Sequence, residues 1–181
     1  NLAVADAIIT TSIAEGFGMV FLEAPMAGRA LMGRNLPEIT ADFVESGMTF
    51  EHLYDQLRVP IEWPGRDTVR QSLTASFRQL ATEYGAPSVI DAELSKLERL
   101  LDNECIDFAM LDATLQVGAI TLVRRDASAR ERLLELNPKL RTALRNGDHD
   151  AIEKNAHVAR QTYSLQDCGA RLRELYVDIL Q

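Results

Sequence analysis

The chain is poor in cysteine and has no long apolar run. Its two cysteines, Cys105 and Cys168, are too few for a disulfide framework and too far apart for a zinc site. We therefore expect two reduced thiols and a cytoplasmic protein. No stretch of about 18 apolar residues is present, so the sequence predicts no transmembrane helix.

Basic residues are also in deficit. The 27 acidic residues outnumber the 19 lysines and arginines, and the formal net charge is −8. This balance argues against a nucleic-acid binder or a membrane-surface module, because both need basic surface. A nucleotide-sugar site stays open, since it needs only local hydrogen-bond donors. The 181 residues, 46% of them hydrophobic, are enough to bury a core.

The first 45 residues predict a βαβ unit. Residues 7–12 have the short, β-branched character of a buried strand, and residues 19–27 have the dense apolar pattern of a buried helix. Gly28 is typical of a helix end, and a second strand is predicted at 29–33. Such an order implies a parallel sheet. A turn at 35–38 leads into another helix, and we expect no further strand.

The remainder of the chain is predicted to be mostly helical. Residues 50–64 look irregular because Pro60 and Pro64 flank Trp63 and Gly65 follows. Residues 119–123 fit either a helix or a strand. Ile106 is expected to continue an apolar helical stripe. The predicted helices cover residues 67–84, a segment beginning at Ser88 or Asp91, and residues 126–136, 140–144, 148–163 and 164–180. The fold class is therefore α/β and predominantly helical.

Two carboxylates eight residues apart flank a glycine-rich turn. Glu15 is predicted in the loop at the carboxyl end of the first strand, where open α/β sheets bind ligands. Gly16 and Gly18 allow a ligand close to the backbone, and the helix that follows presents N–H groups to an anion. Glu23 falls about one and a half turns into that helix. Carboxylates accept hydrogen bonds from sugar and ribose hydroxyls, so the pattern suits a nucleotide sugar.

This stretch, Glu15-Gly16-Phe17-Gly18 to Glu23, resembles the donor-binding motif of GT-B glycosyltransferases of the retaining family 4 type. The surrounding order is similar to that family as well. The further matching elements are Ala5-Asp6 to Ser12, Leu22-Glu23-Ala24 to Gly28-Arg29, Asn35 to Ile39, and the closing segment from Asn155 to Tyr176. The resemblance covers about residues 1–45 and 148–181.

The resemblance implies a partial Rossmann-like parallel sheet and transfer of a hexose, with retention, from a nucleoside diphosphate sugar. Glu15 would be the catalytic carboxylate that contacts the donor sugar, and Glu23 would bind the ribose. The amides of Gly16, Phe17 and Gly18 would lie near the diphosphate and sugar. Family members of this type generally use no metal, and we expect no cofactor.

The resemblance also implies three segments. These are a donor-binding segment (1–45), a mostly helical insertion (46–147) and C-terminal helices (148–181). The family's N-terminal acceptor domain and its basic pair have no counterpart, so we expect the C-terminal portion of a longer enzyme, inactive alone. Pro25 departs from the motif and predicts a kink after Glu23.

A second hypothesis keeps the same residues without catalysis. The chain would then be a helical interaction or regulatory module that retains a degenerate glycosyltransferase segment. In either case an unpaired parallel edge predicts a homodimer or another partner. Trp63 either packs a loop onto the core or forms a platform for a sugar. The three histidines are too scattered for a metal site, and none stands near Ser12 to form a nucleophilic triad.

Overall fold

The computed structural model describes residues 4–143 and 149–180, and the chain divides into two compact units. One unit combines the chain up to Asp55 with the chain from Lys139 onward, and the other is Gln56–Pro138. The predicted insertion, 46–147, contains the second unit, although its last residues lie outside the described part. Residues 46–55 belong to the first unit, so the change of unit comes about ten residues later than the predicted boundary.

The first unit is built on a parallel sheet of three strands. Its elements are β1 (Ala7–Ile9), α1 (Met19–Met26), β2 (Ala30–Arg34), α2 (Pro37–Glu45) and β3 (Leu53–Tyr54), and the strand order is β1-β2-β3. Ile9 pairs with Met32, and Gly33 pairs with Leu53. The expectation of no further strand was therefore wrong. Two residues are too few to show a strand pattern, yet Leu53 is buried and completes the sheet.

The second unit combines four helices with a short antiparallel pair. Its elements are β4 (Arg58–Pro60), α3 (Arg66–Glu83), α4 (Ile90–Leu101), β5 (Cys105–Asp107), α5 (Ala113–Arg125) and α6 (Ala127–Leu136). Val59 pairs with Ile106, so the helical assignment of Ile106 was wrong: α4 ends before Asn103 and the chain becomes extended. The ambiguous residues 119–123 are helical. The core of this unit consists of Ile61, Val69, Leu73, Leu97, Leu101, Ile106 and Leu111.

Three helices return the chain to the first unit. They are α7 (Pro138–Ala143), α8 (His149–Thr162) and α9 (Leu165–Ile179). The predicted helix end at 144 and the predicted start at 148 lie outside the described residues. The buried Asn155 side chain ties α8 to the chain before β3, because it accepts from Thr49 N at 2.9 Å and donates to Thr49 O at 2.7 Å. Ser164 Oγ caps α9 by accepting from Asp167 N at 3.0 Å.

The core of the first unit is aromatic. Phe21 is fully buried, and its ring lies 5.8 Å from that of Phe50 and 6.3 Å from that of Phe43. Pro25 is also buried, and α1 ends one residue after it. The helix is closed as predicted at Gly28, whose φ is 70° and whose N–H donates to Pro25 O, while Arg29 N donates to Ala24 O. The predominantly helical α/β class with a small parallel sheet is confirmed. Within the described residues, no helix is both long and apolar enough to span a bilayer.

Candidate functional site

The carboxyl ends of the three parallel strands bring their following loops to one edge of the sheet. The loop after β1 runs from Thr10 to Gly18 and carries Glu15. Asn35 follows β2, and Asp55 follows β3. Because ligands of open α/β sheets bind at this edge, the predicted position of Glu15 suits a ligand site.

Glu15 is held in place by a neighbour in its own loop. Its half-buried carboxylate accepts a hydrogen bond from Ser12 Oγ at 2.5 Å, between Oγ and Oε1. Ser12 N in turn donates to Thr10 Oγ1 at 3.3 Å. A carboxylate accepts several hydrogen bonds, so Glu15 keeps acceptor capacity for a ligand hydroxyl. Ser12 is thus a positioning residue whose role could not be read from the sequence motif.

Gly18 sets how α1 begins. Its φ of 63° lies in the left-handed region, and Phe21 N donates to Gly18 O at 3.0 Å. No side chain caps this helix start. Because Gly18 O takes the N–H of Phe21, the amides of Met19 and Val20 are the ones that an anion at this helix N-terminus would contact. Gly16 and Phe17, just before it, are both exposed, Phe17 to 87%.

Glu23 lies in the second half of α1, and its side chain is exposed. The structure shows no hydrogen bond between Glu23 and the loop after β1 in the described part of the chain. Glu15 and Glu23 therefore belong to the same unit without a direct link. A ligand that reaches both must extend from the loop along the outer surface of α1.

A groove of about 570 Å³ adjoins the loop. Gly16 and Phe17 line it, whereas Glu15, Gly18 and Glu23 do not. Its other walls come from α2 and from the C-terminal helices, and include Glu38, Asp42, Glu45, Tyr163 and Arg171. The volume falls in the range of small-molecule sites. Three carboxylates make this groove suited to hydroxyl groups rather than to phosphates.

A second polar cluster at this edge was not predicted. Arg34 Nη1 donates to Asp55 O at 2.7 Å, Asn35 Nδ2 donates to Asp55 Oδ1 at 3.0 Å, and Thr40 Oγ1 donates to Asn35 Oδ1 at 2.7 Å. These groups satisfy one another and join the ends of β2 and β3. The cluster was missed because β3 was missed, so nothing placed Asp55 beside Asn35.

The other residues weighed from the sequence lie in the second unit or on the surface. Trp63 is half-buried and lines an apolar groove of about 310 Å³, a position that suits packing within its own unit. Arg124, Arg125 and Arg130 are exposed on the second unit. Both cysteines are free. Among the described residues, no three potential metal ligands are grouped together.

Comparison of the chain with protein-family models, with curated proteins and with solved structures gives no match. The glycosyltransferase resemblance therefore stays a prediction, and the case for a function depends on the residues described above.

Proposed function

We propose that the first unit is the nucleotide-sugar-binding part of a glycosyltransferase that transfers a hexose with retention. One observation carries this proposal. Glu15 is oriented by Ser12 at the carboxyl edge of a parallel sheet, in the loop that leads through Gly16 and Gly18 into a helix start without a side-chain cap.

The parts of a nucleotide sugar match different parts of this loop. The diphosphate is assigned to the first amides of α1, where the partial positive charge of the helix dipole favours an anion. Glu15 accepts a hydroxyl of the sugar, and Glu23, exposed on the same helix, accepts a hydroxyl of the ribose. The acidic wall of the adjoining groove, with Glu38 and Asp42, offers further acceptors for sugar hydroxyls.

This assignment gives the helix start and the two carboxylates roles in sugar transfer. The helix start would support the negative charge that grows on the leaving diphosphate, and the two carboxylates would fix the sugar relative to it. Of the two carboxylates, Glu15 is closer in sequence to the helix start assigned to the diphosphate, and it is proposed as the catalytic carboxylate. The phosphate-neutralising basic pair expected from the resemblance has no assigned counterpart, so we expect binding of the donor by this chain without efficient transfer.

Titration calorimetry with UDP-glucose, GDP-mannose and ADP-glucose tests donor binding. Losing a hydrogen bond to a charged group costs about 1.5–3 kcal/mol, which is roughly a 10- to 150-fold loss of affinity. We expect this loss for Glu15→Ala and for Glu23→Ala. Glu153→Ala is the matched control, because Glu153 is exposed on α8. The proposal would be contradicted if the three variants bound the donor equally well, or if no donor bound to the unaltered chain.

A non-catalytic interaction module is the second candidate. The observation that favours it is the second unit, which has its own buried core and presents an apolar groove lined by Leu57, Phe108 and Ile120. The same calorimetry separates the two candidates, because a module that only binds other proteins shows no donor saturation that depends on Glu15.

A further inference from the structure

The last described helix, α9, carries an apolar stripe that the rest of the chain leaves uncovered. No residue of α9 is buried. The helix begins two residues after Tyr163, whose ring packs on Phe43 with centroids 5.2 Å apart, so the chain just before it is anchored to the core of the first unit. Beyond that anchor Leu165 is 94% exposed, and Leu172, Leu175 and Ile179 are each more than half exposed.

The spacing of this stripe is that of a coiled-coil seam. Leu165, Cys168, Leu172, Leu175 and Ile179 follow one another at alternating steps of three and four residues. In heptad notation they occupy the positions a, d, a, d and a. A surface helix that packs on its own domain usually has a broader stripe and buries it. In α9 the a/d residues stay exposed, with Tyr176, Val177 and Leu180 exposed beside them, and an exposed a/d seam is the pattern that another helix covers.

The residues that flank the seam indicate which partner helix would pair with α9. Arg171 and Asp178 both fall at g positions. In an antiparallel pair of identical helices the g positions of the two helices face each other. We set the register by placing Leu172 opposite Leu175 of the second copy. Each Arg171 then lies about one turn or less from Asp178 of the other copy. The opposite flank then places Tyr176 of one helix beside Gly169 of the other. Because the pair has two-fold symmetry, the Arg171–Asp178 charge pair and the Tyr176–Gly169 contact each occur twice.

The alternatives fit less well. In a parallel pair, g positions face e positions, so Arg171 would meet Tyr176 and no opposite charges would pair. A membrane surface requires a basic polar face. The polar face of α9 instead carries Asp167, Glu174 and Asp178 against Arg171 and Arg173.

We propose that α9 is a self-association helix, which pairs antiparallel with α9 of a second copy of this chain through the seam from Leu165 to Ile179. The sheet edge considered from the sequence is not required for this pairing. The inference does not rest on the proposed donor site, although Arg171 both flanks the seam and lines the groove beside the donor loop.

Analytical ultracentrifugation of the whole chain over about 5–300 µM tests the pairing, because self-association depends on concentration. We expect the mass to rise toward twice 20.1 kDa. Leu172→Asp should keep the chain at monomer mass throughout. Val117→Asp is the matched control, since it adds the same charge at a helical valine that is 62% exposed in the second unit, and it should leave the dimer intact.

A charge exchange tests the orientation. Asp178→Arg alone opposes like charges across the axis and should weaken the dimer at least tenfold. Adding Arg171→Asp restores opposite charges and should recover most of that loss. Circular dichroism of each variant, with unchanged helix content, separates lost pairing from lost folding.

Cysteine cross-linking gives a second readout. The antiparallel pairing places Cys168 opposite residue 179 of the second copy, so Ile179→Cys should give a disulfide-linked dimer on oxidation, and the added change Cys168→Ser should abolish it. In the unaltered chain the two copies of Cys168 lie about 16 Å apart along the helix axis and should not cross-link. A strict monomer, a dimer that survives Leu172→Asp, or efficient cross-linking through Cys168 alone would overturn the proposal.

Discussion

Gly18 is the position where the loop that carries Glu15 depends most on a single residue. Its φ of 63° is one that L-residues rarely adopt. A Cβ added here would also overlap the Cγ2 methyl of Ile39 on α2 and lie 3.2 Å from Phe21 Cδ2. The methyl belongs to a β-branched side chain with one strongly preferred rotamer in a helix, so it cannot simply turn away. Gly18→Ala therefore combines backbone strain with a steric clash.

The magnitude follows from these two parts. The left-handed conformation costs an L-residue about 1–2 kcal/mol. Forcing an extra methyl into a packed site costs about 1–3 kcal/mol. We therefore expect Gly18→Ala to lower the free energy of unfolding by about 2–5 kcal/mol. It should also weaken donor binding, because any shift of the helix start moves the amides that are assigned to the diphosphate.

Two other glycines provide matched controls. Gly28 has a φ of 70° with open space around it, so Gly28→Ala tests strain alone and should cost about 1–2 kcal/mol. Gly16 has no positive φ and no neighbour within 4 Å, so Gly16→Ala should change stability by about 0.5 kcal/mol or less. Urea denaturation followed by circular dichroism measures all three variants.

The clash with Ile39 is tested by a double-mutant cycle. Ile39→Ala removes the overlapping methyl, so it should be less harmful in the Gly18→Ala background than in the unaltered chain. If Gly18→Ala costs no more than Gly28→Ala, or if the two substitutions at 18 and 39 are strictly additive, the packing argument is refuted.

Two further predictions concern stability in each unit. Phe21→Ala removes a fully buried ring from the aromatic core of the first unit and should cost about 3–5 kcal/mol in urea denaturation. In the second unit, hydrogen bonds from Ser72 Oγ and from Leu115 N lower the pKa of Asp112 from its ordinary value. The stabilisation this gives is present above the pKa of the unfolded chain and is lost as the pH falls through the lower folded-state pKa. Asp112→Ala should therefore lower Tm at pH 7, and the difference from the unaltered chain should shrink as the pH drops below 4; a difference that grows instead would contradict the assignment.

The sequence predicted the long helices and the first two strands, which have a local apolar pattern, and missed the later short strands, which have none. The helix that contains Val69 and Leu73 has a periodic apolar stripe over five turns, so its ends were located within one residue. Leu53–Tyr54 and Cys105–Asp107 are two and three residues long, and no period can be read from so few positions. Their strand character comes from pairing with distant segments, which a local pattern does not contain.

The candidate site was predicted to a similar extent. The placement of Glu15, Gly16 and Gly18 between β1 and α1 required only local signals, and the structure has the loop where the pattern predicted it. The hydrogen bond from Ser12 to Glu15 is also local, but a serine three residues before a glutamate is too common a pair to indicate contact. The acidic groove could not be predicted, because its lining residues, such as Phe17 and Tyr163, are far apart in sequence and are brought together only by the fold of the first unit.

The two proposals share one residue, which decides how they must be separated. Arg171 lines the groove beside Phe17, forms an ion pair with Asp167 at 3.5 Å, and occupies a flank of the seam on α9. A change at Arg171 therefore alters the groove and the pairing together, and cannot by itself assign an effect to either. Asp178 flanks the same seam without lining the groove. If Asp178→Arg abolishes the dimer and leaves donor affinity unchanged, the two surfaces act independently. If donor affinity falls with the dimer, the second copy contributes to the groove, and linkage then requires that the donor in turn strengthens dimerisation by the same factor.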